Sequence, residues 1–160
     1  MLRSNRVLSV AAIVVVFGFT LAASAATVTL HPGSLAVSNV PASIMYDAGS
    51  IFNKSADPVT VHAPMARTNS NVASSSIQGY VAVYDPNPNA DVTCSLRTHQ
   101  GDASMFVSTV STSGFSSSLQ SLNFGVIPTS GGWIAYVECK LPGNANGFLS
   151  GLAKYELQMN

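Results

Sequence analysis

The stretch YVAVYDPNPNADVTCSL, residues 80–96, decides how this chain is read. Both of its ends alternate apolar with other side chains at period two, the repeat of a β-strand with one face buried. Its centre sets Asp85, Asn87, Asn89 and Asp91 at every second position around Pro86 and Pro88. Those oxygen-bearing side chains raise the question of a calcium loop. An EF-hand loop opening at Asp85 would need glycine at its sixth position and a bidentate glutamate at its twelfth, where this chain has Ala90 and Leu96. The two prolines fix φ and remove backbone donors, which suits a rigid connection. The spacing therefore predicts a hairpin turn between strands over 77–84 and 92–98, with Asp85 and Asp91 as surface residues. Asp85, Asn87, Asn89 and Asp91 remain the secondary, calcium-binding candidate.

Outward from this stretch the same pattern recurs. Segments 27–30, 43–46, 50–53, 59–62, 104–111, 119–124, 133–141 and 152–159 alternate or are rich in β-branched and aromatic residues. Gly, Pro, Asn, Asp and Ser fill the gaps, and no segment sustains helical periodicity. Many short strands separated by turn residues predict an all-β fold, a single antiparallel two-sheet β-sandwich, with a β-barrel as the alternative.

Cys94 and Cys139 are the only cysteines. Each sits on the apolar phase of its strand, in Val92-Cys94-Leu96 and in Val137-Cys139-Leu141, so the two can meet in one core. A core disulfide between them is predicted, with two free buried thiols as the competing reading. The chain-entropy model gives such a bridge roughly 4 kcal/mol. No Cys-x-x-Cys is present to suggest a redox pair.

At the N-terminus, Arg3 and Arg6 precede an apolar run from Val10 to Phe19 and then Ala22-Ala23-Ser24-Ala25-Ala26. This basic, apolar, small-residue order predicts a secretory signal over 1–25, cleaved after Ala25 or Ala26, and a single domain over 26–160. The run is shorter than the roughly 20 apolar residues of a membrane span, and no later segment approaches that length. The mature chain is expected to be secreted or periplasmic. It would carry Lys54, Arg67, Arg97, Lys140 and Lys154 against Asp47, Asp57, Asp85, Asp91, Asp102, Glu138 and Glu156, a net charge of −2. Basic residues scattered singly give no face for displacing counterions from phosphate, which argues against nucleic acid as a partner.

Catalytic and metal-binding patterns are sparse. His31, His62 and His99 lie far apart, without the short spacings of a metal site. Arg97, His99 and Asp102 fall within one short run, but it leaves a strand through a Gly-Asp turn signal. Neither Gly-x-Ser-x-Gly nor Ser-x-x-Lys occurs. The chain is expected to be non-enzymatic and to need no cofactor. The hydroxyl-rich stretches 69–76 and 108–121 are read as solvated surface, with a glycan- or partner-binding surface as the functional alternative. Trp133 falls with the apolar set of its strand and is assigned to the core.

The segments VTVHAPMAR, YVAVYDPNPNADVTCSL, LNFGVI and GGWIAYVECKLPG, which span most of residues 58–143, share an order of motifs. It resembles that of small exported bacterial β-sandwich proteins of unassigned function, with a strand ending in Val-Thr-Cys and a late one ending in Cys-x-Leu-Pro. The resemblance implies fold and export and supplies no catalytic residue. In that group Cys-Pro often stands where this chain has Ala63-Pro64, with a partner cysteine near Leu35, so a whole second disulfide is absent here. The leading expectation is a binding or interaction module at the cell envelope or outside it, monomeric, for a protein or glycan. The alternative is a fimbrial-type structural subunit of a surface fibre, although the final segment GFLSGLAKYELQMN lacks the usual aromatic next to its end.

Overall fold

The computed structural model describes residues 26–30, 36–37, 44–64, 76–100, 103–128 and 134–159. The expectations for residues 1–25, for His31, for Asp102, for Trp133 and for nearly all of 69–76 lie outside the described residues. Eleven strands follow in chain order: β1 (Ala26–Leu30), β2 (Ala36–Val37), β3 (Ile44–Asp47), β4 (Ser50–Asn53), β5 (Val59–Pro64), β6 (Ser76–Asp85), β7 (Thr93–Gln100), β8 (Ala103–Ser111), β9 (Ser116–Pro128), β10 (Ile134–Leu141) and β11 (Gly151–Met159). They form two antiparallel sheets rather than a closed barrel. The first sheet runs β3-β4-β11-β6-β9, with β1 also paired to β11, and the second runs β2-β5-β10-β7-β8.

The alternation in sequence becomes the layering of the fold. Ile77, Val81, Val83, Leu122, Leu152, Tyr155 and Leu157 of the first sheet face Val61, Leu96, Val137 and Leu141 of the second, all buried in one core. Each fully buried Val, Leu or Ile contributes about 1.5–3 kcal/mol relative to exposure. Cys94 and Cys139 are directly opposed on β7 and β10, with Cα atoms 4.1 Å apart, and are joined by a disulfide with both residues fully buried. The bridge thus staples neighbouring strands within one sheet, on its core side.

The expected hairpin over residues 77–98 does not form. Strand β6 lies between β11 and β9 in the first sheet, whereas β7 lies between β10 and β8 in the second. The connection from Pro86 to Val92 crosses from one sheet to the other. Tight hairpin turns need residues at positive φ. Among the described residues the non-glycine residues with positive φ are Ala48 and Asn146, and neither lies in this connection. Val81 and Val83 of β6 and Cys94 and Leu96 of β7 are instead buried from opposite sheets in the one core.

Candidate functional site

The residues singled out as a calcium candidate do not converge. Asp85 points into the interior and is fully buried. Its Oδ2 accepts a hydrogen bond from the Val92 amide at 3.0 Å and a short one from the Thr112 hydroxyl, and its Oδ1 accepts from the Ser150 hydroxyl at 3.2 Å. Asn87, also buried, donates to the Gly143 carbonyl at 2.9 Å and accepts from the Asn89 amide at 2.8 Å. Asn89 is exposed. Asp91 is exposed too, and accepts from the Gly114 amide at 3.1 Å. Asp85 is therefore a hub tying the β6–β7, β8–β9 and β10–β11 connections together, and its expected surface position is corrected. A buried carboxylate survives only when its oxygens are satisfied in this way. Among the described residues no group of three His, Cys, Asp or Glu side chains is placed to hold a metal.

Among the described residues a concave feature lies on the outer face of the first sheet. Period two on β6 turns Val81 and Val83 inward and Gln78, Tyr80, Ala82 and Tyr84 outward. On β11, Tyr155 and Leu157 point inward, which sends Lys154, Glu156 and Gln158 outward. Register then sets Gln158 beside Gln78, Glu156 beside Tyr80 and Lys154 beside Ala82. On the far side of β6, Asn123 of β9 pairs with Tyr80 and Gly125 with Gly79. Phe124 is the extra residue of a bulge between them, made possible by Gly125 at φ 74°. A depression of about 300 Å³ opens here, lined by Gln78, Gly79, Tyr80, Asn123, Gly125, Glu156 and Gln158.

Its polar groups are pre-set by one another. Lys154 Nζ donates to the Tyr80 hydroxyl at 2.6 Å and lies 3.1 Å from Glu156 Oε2, and the Tyr80 hydroxyl donates to that same carboxylate oxygen at 3.2 Å. The hydrogen bond to Tyr80, and after it the one to Glu156, hold the Lys154 amine above its ordinary value of 10.5. The ammonium is 5.2 Å from the ring centroid, which with the short hydroxyl contact puts it beyond the hydroxyl rather than above the ring face. Gln78 Nε2 donates to Gln158 Oε1 at 2.9 Å. That bond leaves the other amide atoms, an acceptor on Gln78 and a donor on Gln158, for the depression. Neighbouring amides, a clamped phenol and a glycine floor can hydrogen-bond and stack on a polyhydroxylated molecule.

The outer face of the second sheet is polar in a different way. Arg97 donates to Glu138 at 2.9 Å, and His62 Nδ1 lies 3.7 Å from the other carboxylate oxygen. Thr93 with Ser111, and Ser95 with Thr109, pair hydroxyls across β7 and β8 at 2.9 Å each. Arg97 thus meets Glu138 of β10, a partner that the run Arg97-His99-Asp102 did not suggest, and His99 is exposed. The aromatic residues of the first sheet's outer face went unassigned from sequence, although the alternation in YVAVY already sets Tyr80 and Tyr84 opposite Val81 and Val83.

No family model and no curated protein matches the chain. Solved structures do. The C-terminal CBM6 of LamC, a marine laminarinase from Zobellia galactanivorans, is similar over 82% of this chain and 98% of its own, with a TM-score of 0.55 at 11% identity. A family two carbohydrate esterase from Cellvibrio japonicus is similar over 86% of this chain, with a TM-score of 0.52 at 13% identity, and this chain spans only 35% of that enzyme. At these identities the likeness shows the fold alone: the chain is an antiparallel β-sandwich of the kind found in a carbohydrate-binding module.

Proposed function

We propose that the chain is an exported, non-enzymatic carbohydrate-binding module that holds its ligand on the outer face of the first sheet, around Tyr80. The observation that carries this reading is the depression itself. A phenol fixed by Lys154 and Glu156 stands beside the amides of Gln78, Gln158 and Asn123, over the bare backbone of Gly79 and Gly125. Sugars present hydroxyls that donate and accept, together with apolar C–H faces, and this set answers both. The fold likeness to a carbohydrate-binding module supports the reading, and the signal-like N-terminus and the disulfide support export.

The test is co-sedimentation of the mature chain with insoluble cellulose, xylan, mannan and laminarin, beside Tyr80→Ala. Retention on one of them, lost in the variant at unchanged melting temperature, is expected. Retention that the variant keeps in full would overturn the site.

A second reading, the fibre subunit, is favoured by one feature. The edge strands β8 and β9 of the two sheets carry no charged residue from Ala103 to Pro128, and edge charge is a common guard against strand pairing, although the Ser108 hydroxyl donates to the Phe124 carbonyl and so sets these two edges against each other. A monomer on size-exclusion chromatography would set this reading aside.

A further inference from the structure

We propose that the ligand is a neutral oligosaccharide chain lying along β6, with Tyr80 and Tyr84 as two separate stacking positions; this rests on the glycan reading above and names its substrate class. Tyr80, Ala82 and Tyr84 share the outward face of one strand. At about 3.3 Å per residue, the two tyrosine Cα atoms stand roughly 13 Å apart, farther than one sugar ring can bridge. The residue between them is alanine, flanked in register by Lys154 and Ser121. Lys154 turns its amine toward Tyr80 and Glu156, and Ala82 itself is buried beneath its neighbours, so the strip between the tyrosines is surfaced by the side chains around the alanine.

The Tyr84 end is built as a platform. Its ring stacks on Phe52 at 5.5 Å between centroids and 29° between planes. Gly151 pairs with both residues, one on each side. A Cβ added there would fall 2.5 Å from the Phe52 ring, so only glycine lets the rings meet over β11. Leu119, half exposed, pairs with Tyr84 from the other side and widens the apolar surface. One end of the strip therefore offers hydrogen bonds beside a phenol, and the other offers broad apolar contact.

Charge selects the chemistry of the chain. Among the described residues Glu156 is the one charged residue lining the depression, and Lys154 neutralises it at 3.1 Å. A uronic acid would bring a second carboxylate to a place whose cation is already engaged. Neutral sugars meet no such cost.

Calorimetric titration with cello-, xylo-, manno- and laminari-oligosaccharides, from monomer to hexamer, tests the proposal. For the series that binds, affinity should rise about tenfold between the dimer and the hexamer, the scale of one added stacking contact. Tyr84→Ala should remove that rise while leaving the dimer's affinity in place, and Tyr80→Ala should abolish binding at every length. A tri-galacturonate should bind the parent far more weakly than the neutral chain and should gain affinity in Glu156→Gln, where Lys154 loses its counter-charge. If the hexamer binds no better than the dimer, or Tyr84→Ala keeps the length dependence, the extended chain is wrong, while loss of binding in Tyr80→Ala would still uphold the glycan site. Tri-galacturonate binding the parent more tightly than neutral chains would overturn the neutral assignment. If none of the four series binds at millimolar concentration, the glycan reading itself fails.

Discussion

Replacing Asp85 by alanine should be among the costliest single changes outside the apolar core. The carboxylate is fully buried, and its oxygens accept from the Val92 amide, the Thr112 hydroxyl and the Ser150 hydroxyl. After truncation, Val92 keeps the Thr112 oxygen at 2.9 Å, and Thr112 keeps only a marginal 3.5 Å contact with the Val92 carbonyl. Ser150 loses its acceptor. Each buried donor left without a partner costs about 1–3 kcal/mol, and the lost charge-assisted bonds and the cavity add to that. We expect a total of about 3–5 kcal/mol, read as a lower urea midpoint at unchanged slope. Asp85→Asn should cost much less, about 1–2 kcal/mol, because its amide can present oxygen to Val92 and Thr112 and nitrogen to Ser150, whose hydroxyl can also accept. Asp91→Asn, at an exposed position, should change stability by less than about 1 kcal/mol. Calcium should leave the parent's midpoint unmoved, since both Asp85 oxygens are occupied. An Asp85→Ala protein as stable as the parent, or a calcium-dependent rise that Asp85→Asn abolishes, would refute this account of the loop.

Changing Cys94 and Cys139 together to alanine should cost about 2–5 kcal/mol in urea unfolding and spare any binding activity at low temperature; parent-like stability with lost function would make the pair a redox or ligand site. Gly79→Ala should destabilise by more than about 2 kcal/mol in the same assay, because its Cβ would collide with the Glu156 carbonyl oxygen and crowd the Leu157 side chain, and a neutral effect would contradict the close approach of β6 and β11. A folded-state value raised above 10.5 means that the Lys154 interaction is complete below 10.5 and lost as the pH climbs through the raised midpoint. Nuclear magnetic resonance titration of the Lys154 side chain should therefore give a midpoint above 10.5 that falls part of the way back in Tyr80→Phe, where Glu156 remains; an unshifted midpoint would dissolve the Lys154–Tyr80–Glu156 cluster.

Much of the fold was legible because one property, period-two alternation, reports which side chains enter the core. Every segment read as a strand coincides with one, and Cys94 and Cys139 met as their phase required. Alternation does not report which sheet a strand joins. Adjacent in sequence, β6 and β7 were read as a hairpin, whereas their neighbours β11 and β10 lie far along the chain. Two further misses are local: β2 is too short to show a period, and β9 runs to Pro128 because Gly125, which reads as a strand end, makes a bulge. The site divides in the same manner. Outward phases of Tyr80, Tyr84, Lys154 and Glu156 were available in the sequence, but their meeting depends on the register that sets Tyr80 opposite Glu156. Asp85 misled because its partners Thr112 and Ser150 come from remote connections, and only burial separates a hub from a turn residue.

The central claim is that a glycan lies on the outer face of the first sheet. Amide chemical-shift mapping of the isotopically labelled mature chain, titrated with the oligosaccharide series that binds, tests this most directly. The account predicts that shifted amides cluster on residues 78–84 and 154–158 and on Asn123 and Gly125, with the loop end around Phe115 and Phe148 unaffected. Shifts gathered instead on that exposed aromatic pair, 5.9 Å apart between centroids, or on the Arg97–Glu138–His62 face of the second sheet, would contradict it.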